Sequence, residues 1–225
     1  MTAPADTPTM AHDRLRRLFA AAHAGPAVVT IGTFDGVHAG HRALVARARQ
    51  EAGARNARLV AITFTPRPDV LIRGRRALPD ICSIEERIAR LRAAGADDVV
   101  VVPFDRQLMT VTAAEFVAHL TSDLGMVALC VGSEFALGRG REGTVAALRE
   151  LGVDVVAVAV EHLPGRREKI SSSRIRSTMS VGVPEALAMT CAPPVAGDMT
   201  PLSEFSSALE QVATALAPAF TLGMV

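Results

Sequence analysis

The feature that most constrains the fold is an alternation of short apolar runs with longer amphipathic segments. The apolar runs predict strands over residues 27–31, 58–64, 98–102, 126–131 and 153–160. The intervening segments predict helices over residues 42–54, 83–93 and 144–151, and another that starts at a capping-box signal in 112–115. Strands that are apolar on both faces are typical of a parallel sheet with helices on both sides. The sequence therefore predicts an α/β fold with a doubly wound, Rossmann-like parallel sheet.

The chain is long enough for one such domain with small additions, at 225 residues. We expect residues 1–24 to form a mobile tail and a short helix over 13–22, and residues 25–192 to form the domain. Residues 193–225 are expected to be an extension with one amphipathic helix. Its apolar stripe, spaced by three and four, is Leu202, Phe205, Leu209, Val212 and Leu216. We expect this helix to pack on the domain.

Composition narrows the function classes. Apolar residues make up 49% of the chain and charged residues 21%, which is typical of a globular protein. A net charge of +1 gives no electrostatic reason to expect a nucleic-acid or membrane partner. We expect a soluble, cytoplasmic protein, since no signal-peptide pattern and no apolar run of roughly 18–20 residues stands out. The three cysteines show no metal-binding spacing, and the oligomeric state is not predicted.

Residues 32–41, here called the histidine loop, lie between the first predicted strand and the helix after it. Such turns in open α/β sheets bind ligands, and the free N–H groups of the helix start favour anions. Glycines at 32, 36 and 40 let a phosphate approach the backbone closely. His38 and His41, three residues apart, are expected to face the same point and to donate hydrogen bonds to a phosphate.

Each of these residues also has a simpler explanation. Glycines at a strand-to-helix junction often serve only the turn. A His-x-x-His pair can bind a metal, but no nearby cysteine or carboxylate completes a ligand set, so we predict no protein-bound metal. The combined string of glycines and histidines favours phosphate binding over both alternatives.

Three further loops should share the same edge of the sheet, because the carboxyl ends of parallel strands meet there. Thr65–Pro68 follows the second strand, and its prolines are expected to stop both strand and helix. Residues 132–140 follow the fourth strand, and residues 169–176 follow the fifth. The serines of the last loop are often simple helix caps, but beside Arg174 and the histidine loop they favour phosphate binding.

Two strings carry a family resemblance. Gly-Thr-Phe-Asp-Gly-Val-His (32–38), followed by Gly40-His41, resembles the His-x-Gly-His nucleotidyltransferase superfamily, and in particular the adenylyltransferase module of prokaryotic FAD synthetases. Ile-Ser-Ser-Ser-Arg-Ile-Arg (170–176) resembles that family's Ile-Ser-Ser-Thr-Arg-Ile-Arg. Shorter matching pieces lie in the same order between Ala27 and Thr190.

The resemblance implies a transfer of AMP from ATP to FMN, giving FAD and pyrophosphate, with Mg²⁺ bridging the phosphates. The catalytic residues that it implies are His38, His41 and Arg174. The nucleotide-binding residues are Gly32, Thr33, Phe34, Asp35, Gly40, Gly132, Glu134, Ser172 and Ser173. The acceptor-binding residues are Phe64, Pro66, Arg67, Pro68 and Phe135.

The acceptor side departs from the family's pattern. Arg67 stands where the family usually has histidine, and Glu134 stands where it usually has asparagine or aspartate. Ile72 and Leu137 stand where aromatic side chains usually line the flavin pocket. Residues 193–225 are too few for the riboflavin kinase barrel that usually follows, so no kinase activity is expected. Two alternatives stay open: a different phosphorylated acceptor, and a non-catalytic nucleotide- or flavin-binding protein.

Overall fold

The central element is a five-stranded parallel sheet with strand order β3-β2-β1-β4-β7. The computed structural model describes residues 8–74, 78–159, 172, 173, 175 and 176. The sheet strands are β1 (Ala27–Ile31), β2 (Arg58–Thr65), β3 (Asp98–Pro103), β4 (Met126–Gly132) and β7 (Val155–Val158). Two short strands, β5 (Ala136–Leu137) and β6 (Gly143–Thr144), form a separate antiparallel pair. The predicted doubly wound α/β fold is confirmed.

The sheet reverses its direction of growth beside β1. From β1 the chain adds β2 and then β3 on one side, and it then crosses to add β4 and β7 on the other. Both neighbours are parallel to β1, with Val28 opposite Leu59 on β2 and opposite Ala128 on β4. A crevice opens at such a switch point beyond the carboxyl ends of the strands. The histidine loop follows β1 directly and therefore lies at this crevice.

Helices cover both faces of the sheet. The helices are α1 (Pro8–Ala21), α2 (Ala39–Ala54), α3 (Pro68–Arg73), α4 (Ile84–Ala93), α5 (Ala113–Ser122) and α6 (Val145–Glu150). Alternate residues of β1 divide between two cores, with Val29 in the core that α1 and α5 cover and Val28 in the core that α2 and α4 cover. Phe34 of the histidine loop is fully buried in the second core, so this core anchors the loop.

The predicted capping box of α5 is confirmed: Thr112 and Glu115 form the complete reciprocal pair of bonds at the start of that helix. At the start of α4, Glu86 N–H donates to Ser83 Oγ, while the Glu86 carboxylate pairs with Arg90 one turn along. Because the Glu86 carboxylate pairs with Arg90, it does not make the return bond to the Ser83 N–H that would complete a capping box.

Several predicted boundaries were wrong. Helix α1 begins at Pro8, so residues 8–12 of the predicted tail are helical, and Ala11 is buried against the sheet. Pro68 does not prevent a helix but opens α3, because a proline in the first turn has no N–H to lose. Strand β3 is an edge strand whose residues are buried only in part, where full burial was expected.

Some predictions lie outside the described residues: the amphipathic helix of 193–225, Arg174, and the tail before Pro8. In the part of the chain that the structure describes, no helix combines the length and the apolarity needed to cross a bilayer. Cys130 is buried in β4.

Candidate active site

The histidine loop has an unusual backbone. Phe34 and Val37 adopt positive φ angles of 49° and 46°, which is rare for bulky side chains and rarest for a β-branched one. Gly36 between them has φ 81°, and a Cβ there would lie 2.9 Å from Ile81 Cγ2. Its N–H donates to Cys82 Sγ and its carbonyl accepts from Arg90 Nη1. Non-glycine residues held in such conformations cluster at functional sites.

His38 and His41 lie together at the start of α2. Their rings are stacked with centroids 3.7 Å apart and planes 18° apart. The ring of Phe34 meets His41 edge-on at 5.2 Å and 77°. Nδ1 of each histidine is buried and has no hydrogen-bond partner among the described residues. Buried polar atoms without a partner call for an explanation in a native protein, and a ligand would supply one.

Both imidazoles are neutral at physiological pH. Burial lowers the pKa of His38 from 6.5 to about 4, and the positive charges of Arg42 and Arg176 act in the same direction, against Asp35. Burial also lowers the pKa of His41 well below 6.5, and His38, Arg87 and Arg42 add to the effect. Each ring therefore carries one N–H and offers a hydrogen bond without a net charge.

The start of α2 adds a second source of attraction for an anion. His38 is the residue before the helix, and its side chain makes no capping hydrogen bond to the first turn. The amide groups of that turn thus lack their usual side-chain partner. Together with the positive end of the helix dipole they favour a phosphate or carboxylate.

Asp35 connects the histidine loop to three other segments. Its Oδ2 accepts hydrogen bonds from Arg67 Nη1 at 2.8 Å and from Arg176 Nη1 at 2.6 Å. Its Oδ1 accepts from Ile81 N–H at 2.9 Å, and its backbone carbonyl accepts from Ser172 Oγ at 2.9 Å. The carboxylate is fully buried. Its charge is therefore used inside the protein and is not presented to a ligand.

Six charged side chains cluster around this carboxylate, with Asp35 and the three arginines buried and Asp69 and Asp80 partly exposed. Its members are Asp35, Asp69, Asp80, Arg67, Arg87 and Arg176. Three carboxylates balance three guanidinium groups in this set. Burial of charges is tolerated when they are paired and hydrogen-bonded. The cluster therefore holds the histidine loop together with the end of β2, residues 80–81 and the serine segment.

The serine segment of residues 172–176 packs against the histidine loop. Ser172 bonds to Asp35, and Arg176 Nη2 donates to Ser173 Oγ at 3.2 Å. Arg176 and Ile175 are buried. Ser172 thus contacts the backbone of the histidine loop, and Ser173 is linked to the same loop through Arg176 and Asp35. Arg174 lies outside the described residues.

Gly32 and Thr33, which the sequence predicts to bind the nucleotide, are held by hydrogen bonds to β2. Gly32 N–H donates to Ile62 O at 3.1 Å, and Thr33 O accepts from Thr63 Oγ1 at 2.9 Å. These bonds tie the end of β1 to β2. Gly40 lies in the first turn of α2.

The loop after β4 is more open. Glu134 is exposed, and its carbonyl accepts from Arg141 Nη2 at 3.4 Å. Phe135 and Phe64 are half-buried against the core under α1 and α5, on the opposite side of the sheet from Phe34. Gly132 ends β4, which lies next to β1.

Residues predicted to bind the acceptor divide into two groups. Pro66 is exposed, and Pro68 and Phe64 are half-buried at the end of β2. Arg67 lies between the prolines but its side chain has no exposed surface. In this arrangement the guanidinium supports the histidine loop from behind and does not face a ligand.

Sequence reasoning missed Arg87, Asp80 and Arg176. Arg87 stands on the apolar stripe of α4, between Ile84 and Leu91, and is 1% exposed. A lone arginine on an apolar stripe was the available signal for a buried ion pair. Asp80 follows a stretch of sequence with no regular pattern, so nothing in the sequence indicated that it would form an ion pair.

The described residues contain no cluster of three or more His, Cys, Asp or Glu side chains arranged for a metal. The nearest carboxylate to the histidines, Asp35, is committed to two arginines. Mg²⁺ needs few protein ligands when phosphates are present. The site therefore does not provide a metal cage of its own.

A parallel, doubly wound sheet with paired histidines beyond the carboxyl end of β1 defines a Rossmann-like α/β protein. The family model for FAD synthetase matches residues 20–174. The chain belongs to the FAD synthetase family.

Relatives agree with this assignment. Over 158 residues the chain is 35% identical to a bifunctional riboflavin kinase/FMN adenylyltransferase of Escherichia coli K12, covering 68% of this chain and 50% of that protein. It is 35% identical to a putative bifunctional riboflavin kinase/FMN adenylyltransferase of Geobacillus thermodenitrificans, covering 69% of this chain and 83% of that one. The chain thus spans about half the length of the first of these relatives.

One solved structure shares the fold. A crystal structure titled as a macrolide-efflux protein from Streptococcus pneumoniae superposes with a TM-score of 0.60 and 26% identity. The match covers 68% of this chain and 51% of that chain.

Proposed function

We propose that this chain is an FMN adenylyltransferase that transfers AMP from ATP to the phosphate of FMN, giving FAD and pyrophosphate. Membership of the FAD synthetase family supports this reaction. The observation that carries it is the pair of stacked, neutral histidines with unpartnered Nδ1 atoms at the start of α2. Such a pair suits a polyanion that changes its charge distribution during the reaction.

The proposed chemistry is a direct in-line displacement. A phosphate oxygen of FMN attacks the α-phosphorus of ATP, a new P–O bond forms, and the bond to the bridging oxygen breaks to release pyrophosphate. His38 and His41 donate hydrogen bonds to the ATP phosphates as negative charge moves onto the leaving group. Because both rings are neutral, they do this without adding a proton to the product.

The other loops hold the substrates. Ser172, Ser173 and Arg174 bind the outer phosphates, and Gly32 to Asp35, with Gly40, seat the nucleotide next to the α2 amides. Gly132 and Glu134 border the nucleotide from β4. The exposed and half-buried group Phe64, Pro66, Pro68 and Phe135 lies on the acceptor side.

Mg²⁺ would be held chiefly by the phosphates of the nucleotide and by water, since the buried carboxylate of Asp35 is already paired. It would neutralise phosphate charge when bound. The proposed use of ATP favours a cytoplasmic location, and Cys82 and Cys130 are free thiols, which is compatible with a reducing compartment.

A different phosphorylated acceptor is the second candidate. The exposed residue Glu134 in the loop after β4 favours it, because this carboxylate departs from the family pattern on the acceptor side. A carboxylate facing the acceptor disfavours a second anion nearby.

The test is a product assay with purified protein, Mg²⁺ and ATP. FMN and a panel of other phosphorylated acceptors are supplied one at a time, and flavin products and pyrophosphate are separated and measured. The proposal predicts FAD and pyrophosphate in equal amounts from FMN. Pyrophosphate released only with another acceptor would establish the second candidate, and none with any acceptor would favour a non-catalytic binding protein.

A further inference from the structure

Each nitrogen of the Arg67 guanidinium contacts a group of the protein. Nη1 donates to Asp35 Oδ2 at 2.8 Å, and Nη2 donates to Leu78 O at 2.6 Å. Nε lies 2.9 Å from Asp80 Oδ1, an ion-pair contact without the alignment of a hydrogen bond. The guanidinium joins the end of β2 to the histidine loop and to residues 78–80.

Asp35 connects Arg67 to the serine segment, because its carboxylate bonds to both Arg67 and Arg176. Its Oδ2 is shared between Arg67 and Arg176, so Arg67 helps to fix the carboxylate in the position that Arg176 uses. Arg176 in turn bonds to Ser173, and Ser172 bonds to the Asp35 carbonyl. Asp35 is three residues before His38 on the same loop. A shift of this carboxylate would therefore move the histidines and the serines relative to each other.

The charges support a fixed arrangement. Without Arg67, the buried carboxylate of Asp35 would keep Arg176, with Arg87 Nη2 at 3.6 Å. The partly exposed Asp80 would keep Arg87, also at 3.6 Å, among the described residues. Losing one member of a buried ion-pair network leaves the remaining charges imperfectly paired. The network would then have to rearrange or admit water.

We propose that Arg67 is a positioning residue: acting through Asp35, it aligns the histidine loop with the serine segment and makes no contact with the acceptor. This role rests on the proposed function, in which those two segments bind the nucleotide phosphates. Arg67, which stands where the family usually has histidine, would then act on nucleotide binding, although its position in the sequence suggests the acceptor site.

A positioning role and a direct contact with the acceptor predict different effects of an Arg67 substitution on nucleotide affinity and on the acceptor KM. A positioning residue that acts on the phosphate-binding segments affects kcat and the affinity for ATP, and leaves the KM for the acceptor unchanged. A residue that contacts the acceptor raises the acceptor KM and leaves ATP binding unchanged.

The variants are Arg67→Met, Arg67→Lys, Asp35→Asn and the double variant Asp35→Asn/Arg67→Met. Arg58→Met is the matched control, because Arg58 pairs with Asp98 at the amino ends of β2 and β3, on the opposite edge of the sheet. Circular dichroism establishes that each variant is folded. Calorimetry with a non-hydrolysable ATP analogue and Mg²⁺ gives nucleotide affinity, and steady-state kinetics gives kcat and KM.

Arg67→Met is expected to weaken analogue binding by about tenfold, within the range for coupled residues of one network. Arg67→Lys should fall between it and the wild type, because an ammonium keeps the charge but not the fork of donors. In the Asp35→Asn background the same Arg67 change should add less than about twofold. Arg58→Met should bind the analogue as the wild type does.

A raised acceptor KM with unchanged analogue binding in Arg67→Met would overturn the proposal, as would additive effects of the Arg67 and Asp35 changes. If Asp35→Asn does not fold, Arg176→Lys completes the cycle, because Arg176 shares the same Oδ2. The calorimetric cycle needs no acceptor. If the Arg67 and Asp35 variants show the expected coupling in calorimetry but no FAD is formed from FMN, the FMN reaction is refuted and the positioning role is not.

Discussion

Acidification should destabilise this protein through His38, whose ring is enclosed where an added proton is unfavourable. The side chain is 4% exposed, and its burial and the nearby arginines lower the pKa from 6.5 to about 4. In the unfolded chain the same histidine takes up its proton near pH 6.5. Stability that depends on the neutral ring is therefore fully present above pH 6.5, falls as the pH drops toward 4, and changes little below that value.

The size of the effect follows from the two pKa values. A pKa lowered from 6.5 to about 4 corresponds to a loss of about 3 kcal/mol in the free energy of unfolding across this window. That is a large share of the 5–15 kcal/mol or so that natural domains possess. His41, whose pKa is lowered in the same direction, adds to the loss.

The assay is urea denaturation of the wild type and of His38→Asn at several pH values between 7 and 4. Carboxylates contribute to acid sensitivity in both proteins, so the difference between the two curves isolates the histidine. The wild type should lose about 3 kcal/mol more than the variant. His23→Asn, at an exposed histidine, is the control and should follow the wild type. Parallel curves for the wild type and His38→Asn would refute the enclosed, neutral imidazole.

Three further predictions concern single side chains. His41→Ala should retain the fold and lower the rate of FAD formation by about a hundredfold or more, since one transition-state donor typically contributes ~2.7–4 kcal/mol; an unchanged rate would remove the histidine loop from the mechanism. Glu134→Asn should tighten FMN binding, measured by flavin fluorescence, because a carboxylate repels the FMN phosphate; unaltered or weaker binding would place Glu134 outside the acceptor site. Thr112→Ala should lower the free energy of unfolding by about 1 kcal/mol in urea titrations, because the capping box of α5 is complete; an unchanged midpoint would show that the box contributes nothing.

Local patterns predicted much of the fold. The bounds of β1 agree with the apolar run of residues 27–31, because that strand is central and apolar residues face both cores. The full capping box at Thr112 was predicted from residues that are adjacent along the chain. These features depend on interactions within a few residues, and so the sequence displays them directly.

The charge cluster could not be predicted in the same way. Arg67 and Arg176 meet Asp35 across separations of 32 and 141 residues, and nothing local indicates which buried charges will pair. Asp35 was predicted to help seat the nucleotide through the backbone, and its side chain proved to be a buried link between loops. Pro68 was expected to block a helix, but it is the first residue of α3, where proline is tolerated. The start of α3 could not be located from the sequence, so this position was not recognised.

The most direct test of the account is whether the two stacked histidines meet the nucleotide. Nitrogen-15 NMR of the histidine rings, followed while a non-hydrolysable ATP analogue with Mg²⁺ is added, reports hydrogen bonding at each imidazole. Signals of His38 and His41 should move with the same saturation curve as analogue binding, while those of His12 and His119, paired with each other between α1 and α5, should stay in place. Saturated binding with the His38 and His41 signals unmoved would contradict a phosphate site at the histidine loop.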